Sequence, residues 1–109
     1  MGMRLADKEC VPCRGGVPPL RGGEIQVLLD ELDAGWQVIG EHHLEKEFEF
    51  DDFAGALAFV NRVGALAEEQ GHHPDLFLSW GLVRVQIWTH KIDGLTESDF
   101  VLAAKIEES

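Results

Sequence analysis

Apolar and polar side chains alternate along this chain in two rhythms, and each change of rhythm marks a boundary. After Gly22-Gly23, residues Ile25, Leu28, Leu29 and Leu32 recur at helical spacing up to Asp33, which predicts an amphipathic first helix ended by Gly35. Trp36-Gln37-Val38-Ile39 then reads as a strand. Gly40 to His43 suits a turn. Beyond it Glu45, Glu47 and Glu49 alternate with Lys46, Phe48 and Phe50, the period of two expected when one strand face is buried and the other wet. The two strands are expected to pair as a hairpin.

Asp51 or Asp52 can cap a second helix, in which Phe53, Leu57, Val60, Gly64 and Ala67 mark one face down to Gln70. Gly55 and Gly64 each cost roughly 1 kcal/mol against alanine inside a helix, and close packing against a sheet or a second subunit is the expected reason for them. Gly71 suits the left-handed residue that ends a helix, and Pro74 pushes His73 toward an extended conformation. A second hairpin follows, from Asp75 to Trp80, through Gly81, and from Leu82 to His90. In it Val83, Val85, Ile87 and Thr89 share one face, and Arg84, Gln86, Trp88 and His90 the other. Thr96-Glu97-Ser98-Asp99 forms a capping box for a last helix carrying Phe100, Ala103, Ala104 and Ile106. The order α-β-β-α-β-β-α predicts an α+β fold, a four-stranded antiparallel sheet with three helices packed on one face.

Composition narrows the classes. A chain of 109 residues builds one core, so residues 22–109 are expected to form a single domain behind a Pro/Gly-rich leader, residues 1–21. Twenty acidic against nine basic side chains give a formal charge of −11, which argues against nucleic acid or an anionic membrane as partner. No apolar run approaches the roughly eighteen residues of a membrane span, and no basic stretch precedes an apolar core at the N-terminus. A soluble cytoplasmic protein is expected. A Gly-rich phosphate loop and a GxSxG are both missing from the sequence.

Cys10 and Cys13 form a CxxC inside Cys10-Val11-Pro12-Cys13-Arg14-Gly15-Gly16-Val17-Pro18-Pro19. A redox motif of that kind caps a helix after a strand, whereas this one lies in the leader. Zinc would need two more ligands, and only His42 and His43 are obvious spare donors. The leader is therefore read as a flexible segment held loosely on the surface.

The chemistry lies in the histidines. His42 and His43 fall in a polar hairpin region and are left out of the site. His72 and His73 sit in a helix-to-strand connection, where irregular dihedrals can turn neighbouring rings to one opening. His90 ends the fourth strand beside Trp88 and Thr89, and the first strand supplies Trp36; paired as above, one aromatic-rimmed mouth can hold all three imidazoles. Imidazole titrates near 6.5, so such a cluster offers both a proton donor and a proton acceptor near neutrality, which suits a dehydration. A metal is not expected, because an adjacent HH pair is a poor chelating spacing.

Glu68, then His72-His73-Pro74 after three residues, Trp80 after five more, His90 after nine and Asp99 after eight form a pattern that resembles the pterin-4a-carbinolamine dehydratase family, also known as dimerization cofactors of a hepatocyte homeodomain factor. Gly35-Trp36, Phe48-x-Phe50-x-x-Phe53, Thr89-His90 and Gly94-Leu95-Thr96 extend the likeness over roughly residues 25–107. The leader is similar to that of many microbial members.

The resemblance implies dehydration of 4a-hydroxytetrahydropterin to quinonoid dihydropterin in tetrahydrobiopterin recycling, with no metal or redox cofactor. It implies His72, His73 and His90 as the catalytic and pterin-contacting set, with His73 and His90 exchanging protons and His72 orienting substrate. Gly71, Trp88, Thr89 and Lys91 are implied neighbours of the pterin. Trp36 either packs on the bicyclic ring or serves as a core aromatic. Relatives often carry an acidic residue directly before the HH pair, where this chain has Gly71; Glu68, one turn back, is the expected substitute for orienting His72. Asp99 is read chiefly as a helix cap. A homodimer or homotetramer is implied. Two other readings stay open, a pterin-binding protein of molybdopterin metabolism and a dimerization or coactivator module without important catalysis.

Overall fold

The computed structural model of the chain describes residues 4–12 and 14–109. Its elements are α1 (Gly22–Leu29), β1 (Gln37–Ile39), β2 (His43–Glu49), α2 (Phe53–Gln70), β3 (Asp75–Ser79), β4 (Leu82–Ile87) and α3 (Glu97–Glu107), with short 3-10 turns at Leu5–Asp7 and His90–Ile92. This is the expected α-β-β-α-β-β-α order. Both hairpins form, and β2 joins β4, so the sheet runs β1-β2-β4-β3 with every neighbour antiparallel. The period of two sets the layers. Leu44, Val83, Val85 and Ile87 are fully buried and share one core with Phe59 and Val63 of α2, Ile25 of α1 and Phe100, Leu102 and Ile106 of α3. Polar Glu45, Glu47, Arg84 and Gln86 alternate with them on the uncovered side. Among the described residues no helix is long and apolar enough to cross a membrane.

Two local expectations are corrected. The regular first helix stops at Leu29, because the Glu31 and Leu32 amides bond three residues back, to Leu28 and Leu29, and so tighten the last turn before Gly35. In α2 the buried stripe is Ala56, Phe59, Val63 and Ala67, whereas Phe53 and Leu57 face outward, 45% and 40% exposed. An Ala-rich helix with apolar residues on two sides offers two candidate stripes; Phe59 settles the choice by packing on Phe48 and Phe50, with ring centroids 4.6 and 5.2 Å apart. Of the two reasons expected for Gly64, packing against the sheet is set aside, since a Cβ built there meets nothing within 4 Å among the described residues, which leaves the second subunit. Asp52 rather than Asp51 caps α2, accepting from the Gly55 amide at 2.8 Å.

The segment before α1 also departs from expectation, for it is tied down rather than loosely held. Leu5 is only 3% exposed and belongs to the core. Lys105 donates to the Ala6 carbonyl at 2.9 Å. The Cys10 amide donates to the Gln70 side chain at 2.9 Å, and the Val11 amide to the Ser98 hydroxyl at 2.8 Å. Cys10 is a free thiol; the other half of the CxxC, Cys13, lies outside the described residues.

Two measurements check this anchoring. Leu5→Ala is expected to destabilise the protein by about 2–4 kcal/mol in urea unfolding, the range for a buried leucine, whereas a loose leader would leave stability within about 0.5 kcal/mol. Burial pushes the Cys10 thiol up to about 11 from an ordinary 9.0, with nearby Lys105 opposing and Asp99 and Glu9 adding to the rise. The folded state thus favours the protonated thiol, a contribution complete below the unfolded value and lost as pH climbs through the folded one. In a Cys13→Ser background, Cys10 is expected to be alkylated at pH 8 roughly a hundredfold more slowly than in the urea-unfolded chain, as two units of thiolate depletion require. Equal rates would contradict the buried thiol.

Candidate active site

Strand register explains why the histidines meet. Asp75, which opens β3, pairs with Gln86 near the end of β4. The residues just before β3, His72-His73-Pro74, therefore lie beside those just after β4, Trp88-Thr89-His90. Gly71 makes the approach possible: at φ +64° it occupies the left-handed region, and the His72 amide bonds back to the Ala67 carbonyl, which ends α2 sharply. On the other side Thr89 bridges to Gly94, closing the 3-10 turn of His90–Ile92 and returning the chain to Thr96 at the start of α3. A cavity of about 280 Å³ results, lined by Pro12, Gly71, His72, His73, Trp88, Thr89, His90 and Lys91.

A buried carboxylate holds this corner together. Asp99 is fully buried. Its Oδ1 accepts from His72 Nε2 at 2.5 Å, and its Oδ2 accepts from the Thr89 hydroxyl at 2.9 Å and the Thr96 amide at 2.8 Å. Three donors give a desolvated carboxylate the partners it needs. Because Thr89 spends its one proton on Asp99, the Thr96 hydroxyl, 3.0 Å away, is the donor between the two threonines. His72 likewise carries its proton on Nε2, which leaves Nδ1 as the basic nitrogen when the ring is neutral.

The other two rings are held differently. His73 Nε2 donates to Glu68 Oε2 at 2.5 Å in an exposed pair, a contact that water weakens. His90 packs edge-on against Trp88, ring centroids 4.3 Å apart, and among the described residues no carboxylate pairs with it. The three imidazoles thus share one cavity with three degrees of restraint. Among the described residues no group of three or more His, Cys, Asp or Glu side chains is arranged to hold a metal.

Two tryptophans lie away from the cavity, Trp36 taking the second of the two places expected for it. Trp36 lies in the core: its Nε1 donates to Glu107 at 2.9 Å and its ring meets Phe48 edge-on. Trp80, 68% exposed, sits at the β3–β4 turn away from the cavity. Glu68 serves His73, not His72, and Asp99 does what Glu68 was expected to do while also capping α3. Two features had no signal in periodicity. Pro12 reaches the cavity through the leader. His42 and His43 come to 5.2 and 5.8 Å from the Trp88 ring, and His42 is tied to Asp93 at 2.6 Å; both contacts join residues more than forty positions apart.

Comparison with known proteins supplies the family. The profile of the pterin 4 alpha carbinolamine dehydratase family matches residues 18–109. A family member from Rubrobacter xylanophilus is 61% identical over 103 residues, covering 94% of this chain and 95% of its own; another, from Alkaliphilus metalliredigens, is 54% identical over 104 residues, 95% of this chain and 94% of its own. A crystal structure from Brucella melitensis, described as a transcriptional coactivator/pterin dehydratase, superposes with a TM-score of 0.76 at 34% identity over 83% of this chain and 96% of that one. With the fold, the histidine-lined cavity and these relatives in agreement, the chain belongs to the pterin-4a-carbinolamine dehydratase family and is, by homology, an enzyme of that activity.

Proposed function

We propose that this protein dehydrates 4a-hydroxytetrahydropterin by histidine acid/base catalysis, returning quinonoid dihydropterin to the tetrahydrobiopterin cycle. In the reaction a ring nitrogen's lone pair expels the 4a-hydroxyl. The C–O bond breaks as an acid protonates the departing oxygen, and a base removes the proton left on the ring nitrogen. One water leaves and the count of protons on the enzyme is restored. His73 and His90 are the proton-exchanging pair, and His72 orients the substrate. The observation that carries this reading is the gathering of three imidazoles on one cavity with only His72 clamped by a buried carboxylate, so that the other two are freer to turn toward substrate. Trp88 offers the flat bicycle a surface, Lys91 supplies a polar contact, and Thr89 forms part of the wall between them. Positioned general acids and bases typically contribute about 10²–10⁴-fold each.

The test follows dehydration of chemically generated 4a-hydroxytetrahydropterin by its ultraviolet change. His73→Ala and His90→Ala are each expected to lower kcat by roughly 10²–10⁴-fold with the fold intact by circular dichroism. Asp99→Asn is expected to cost about 1–3 kcal/mol of stability through imperfect pairing of buried donors, and kcat as well. Equal rates for wild type and both histidine variants would reject the assignment; pterin binding without acceleration would favour a binding role instead.

We also propose that the protein assembles as a homodimer or homotetramer. Support comes from α2, where exposed Phe53 and Leu57 form an unpartnered apolar stripe and Gly64 has open space around it. Light scattering is expected to give two or four times the monomer mass, falling to the monomer in Leu57→Glu; a monomeric wild type would refute this.

A further inference from the structure

The family profile begins at residue 18, yet a residue before that point lines the cavity: Pro12. The leader reaches this position across the two elements that build the site. At one end it is fixed to Gln70, the last residue of α2, whose side chain accepts from the Cys10 amide at 2.9 Å and donates to Glu9 at 2.8 Å. At the other it is fixed to Ser98, the residue before Asp99. The nearly buried Ser98 hydroxyl accepts from the Val11 amide at 2.8 Å and donates to the Val11 carbonyl at 3.2 Å, while the Cys10 thiol donates to the Ser98 carbonyl at 3.5 Å. Upstream, Leu5 plugs into the core. Residues 5–11 therefore form a strap that links the end of α2 to the start of α3, two residues from His72 on one side and one residue from Asp99 on the other.

The strap's chemistry suits a wall. The other side chains around the cavity are imidazoles, an indole, a hydroxyl and an ammonium, whereas proline presents a rigid apolar ring that neither donates a backbone hydrogen bond nor exchanges protons. Hydrogen bonds on residues 10 and 11 hold that ring in place. We infer that Pro12 contacts bound pterin, and that the leader thereby sets how large a substituent the site admits. This inference rests on the dehydratase reading for the identity of the ligand, but not on the catalytic roles of the histidines.

The test therefore measures binding apart from turnover. The wild-type chain, Pro12→Ala and Ser98→Ala are titrated calorimetrically with two pterins that do not dehydrate, 7,8-dihydrobiopterin and 6-methyl-7,8-dihydropterin, and the dehydration rates of all three proteins are compared. Leu5 and the core are untouched in both variants, and thermal melts confirm folding. Pro12→Ala is expected to weaken 6-methyl-7,8-dihydropterin roughly tenfold, the low end of what lost methylene contacts are worth, and the bulkier pterin less. The same change is expected in KM with kcat unaltered. Ser98→Ala, which frees the strap, is expected to follow in the same direction. Unchanged affinity for both pterins in both variants would overturn the inference, as would a loss of kcat at constant affinity, which would mean that the strap acts only by steadying His72 and Asp99. Tight binding by wild type without catalysis would sink the dehydratase reading and leave the Pro12 comparison decisive.

Discussion

The pairing of His72 with buried Asp99 is the interaction on which the site depends. An unpaired buried carboxylate is costly, so the folded state is favoured when α3 delivers Asp99 to a point where His72, Thr89 and Thr96 all donate to it. Those donors come from the α2–β3 connection, the end of β4 and the start of α3. One carboxylate thereby fixes the relative placement of three chain segments, and the placement is what encloses the cavity. Helix capping and ring orientation are not separate uses of Asp99; they are its two oxygens.

The remaining architecture serves that meeting. Antiparallel pairing of β3 with β4 sets the entry of one beside the exit of the other, so the HHP and the Trp88–His90 stretch become neighbours at the open end of the hairpin, opposite its turn. A register shift of one residue would exchange the faces of Val83, Val85 and Ile87 with those of Arg84 and Gln86. The core therefore enforces the geometry of the site, and Trp88, which packs on that core, carries it to the cavity wall.

How much of this was legible in the sequence depended on range. Element order, both hairpins, the Gly71 stop and the capping box at Thr96 are local, and residue type and period suffice for them. The convergence of His72, His73 and His90 followed from the hairpin drawn between them. The failures share a cause. The choice between two apolar stripes on α2, the exchange of partners between Glu68 and Asp99, and the anchoring of Leu5 are all decided by residues distant in the chain, for which periodicity holds no record. Even the family pattern, which placed Asp99 at the right spacing, did not reveal which histidine it would hold.

The three tryptophans ended in three different surroundings: Trp36 sealed in the core beside a carboxylate, Trp80 projecting from the far hairpin turn, and Trp88 set among tilted and edge-on imidazoles at the cavity wall. Their emission is accordingly divided by colour and by quenching. Trp80 reports solvent, Trp36 reports integrity of the interior, and Trp88, in contact with His42, His43 and His90, reports the surroundings of the cavity wall. The protein carries its own set of optical gauges, one for each level of its organisation.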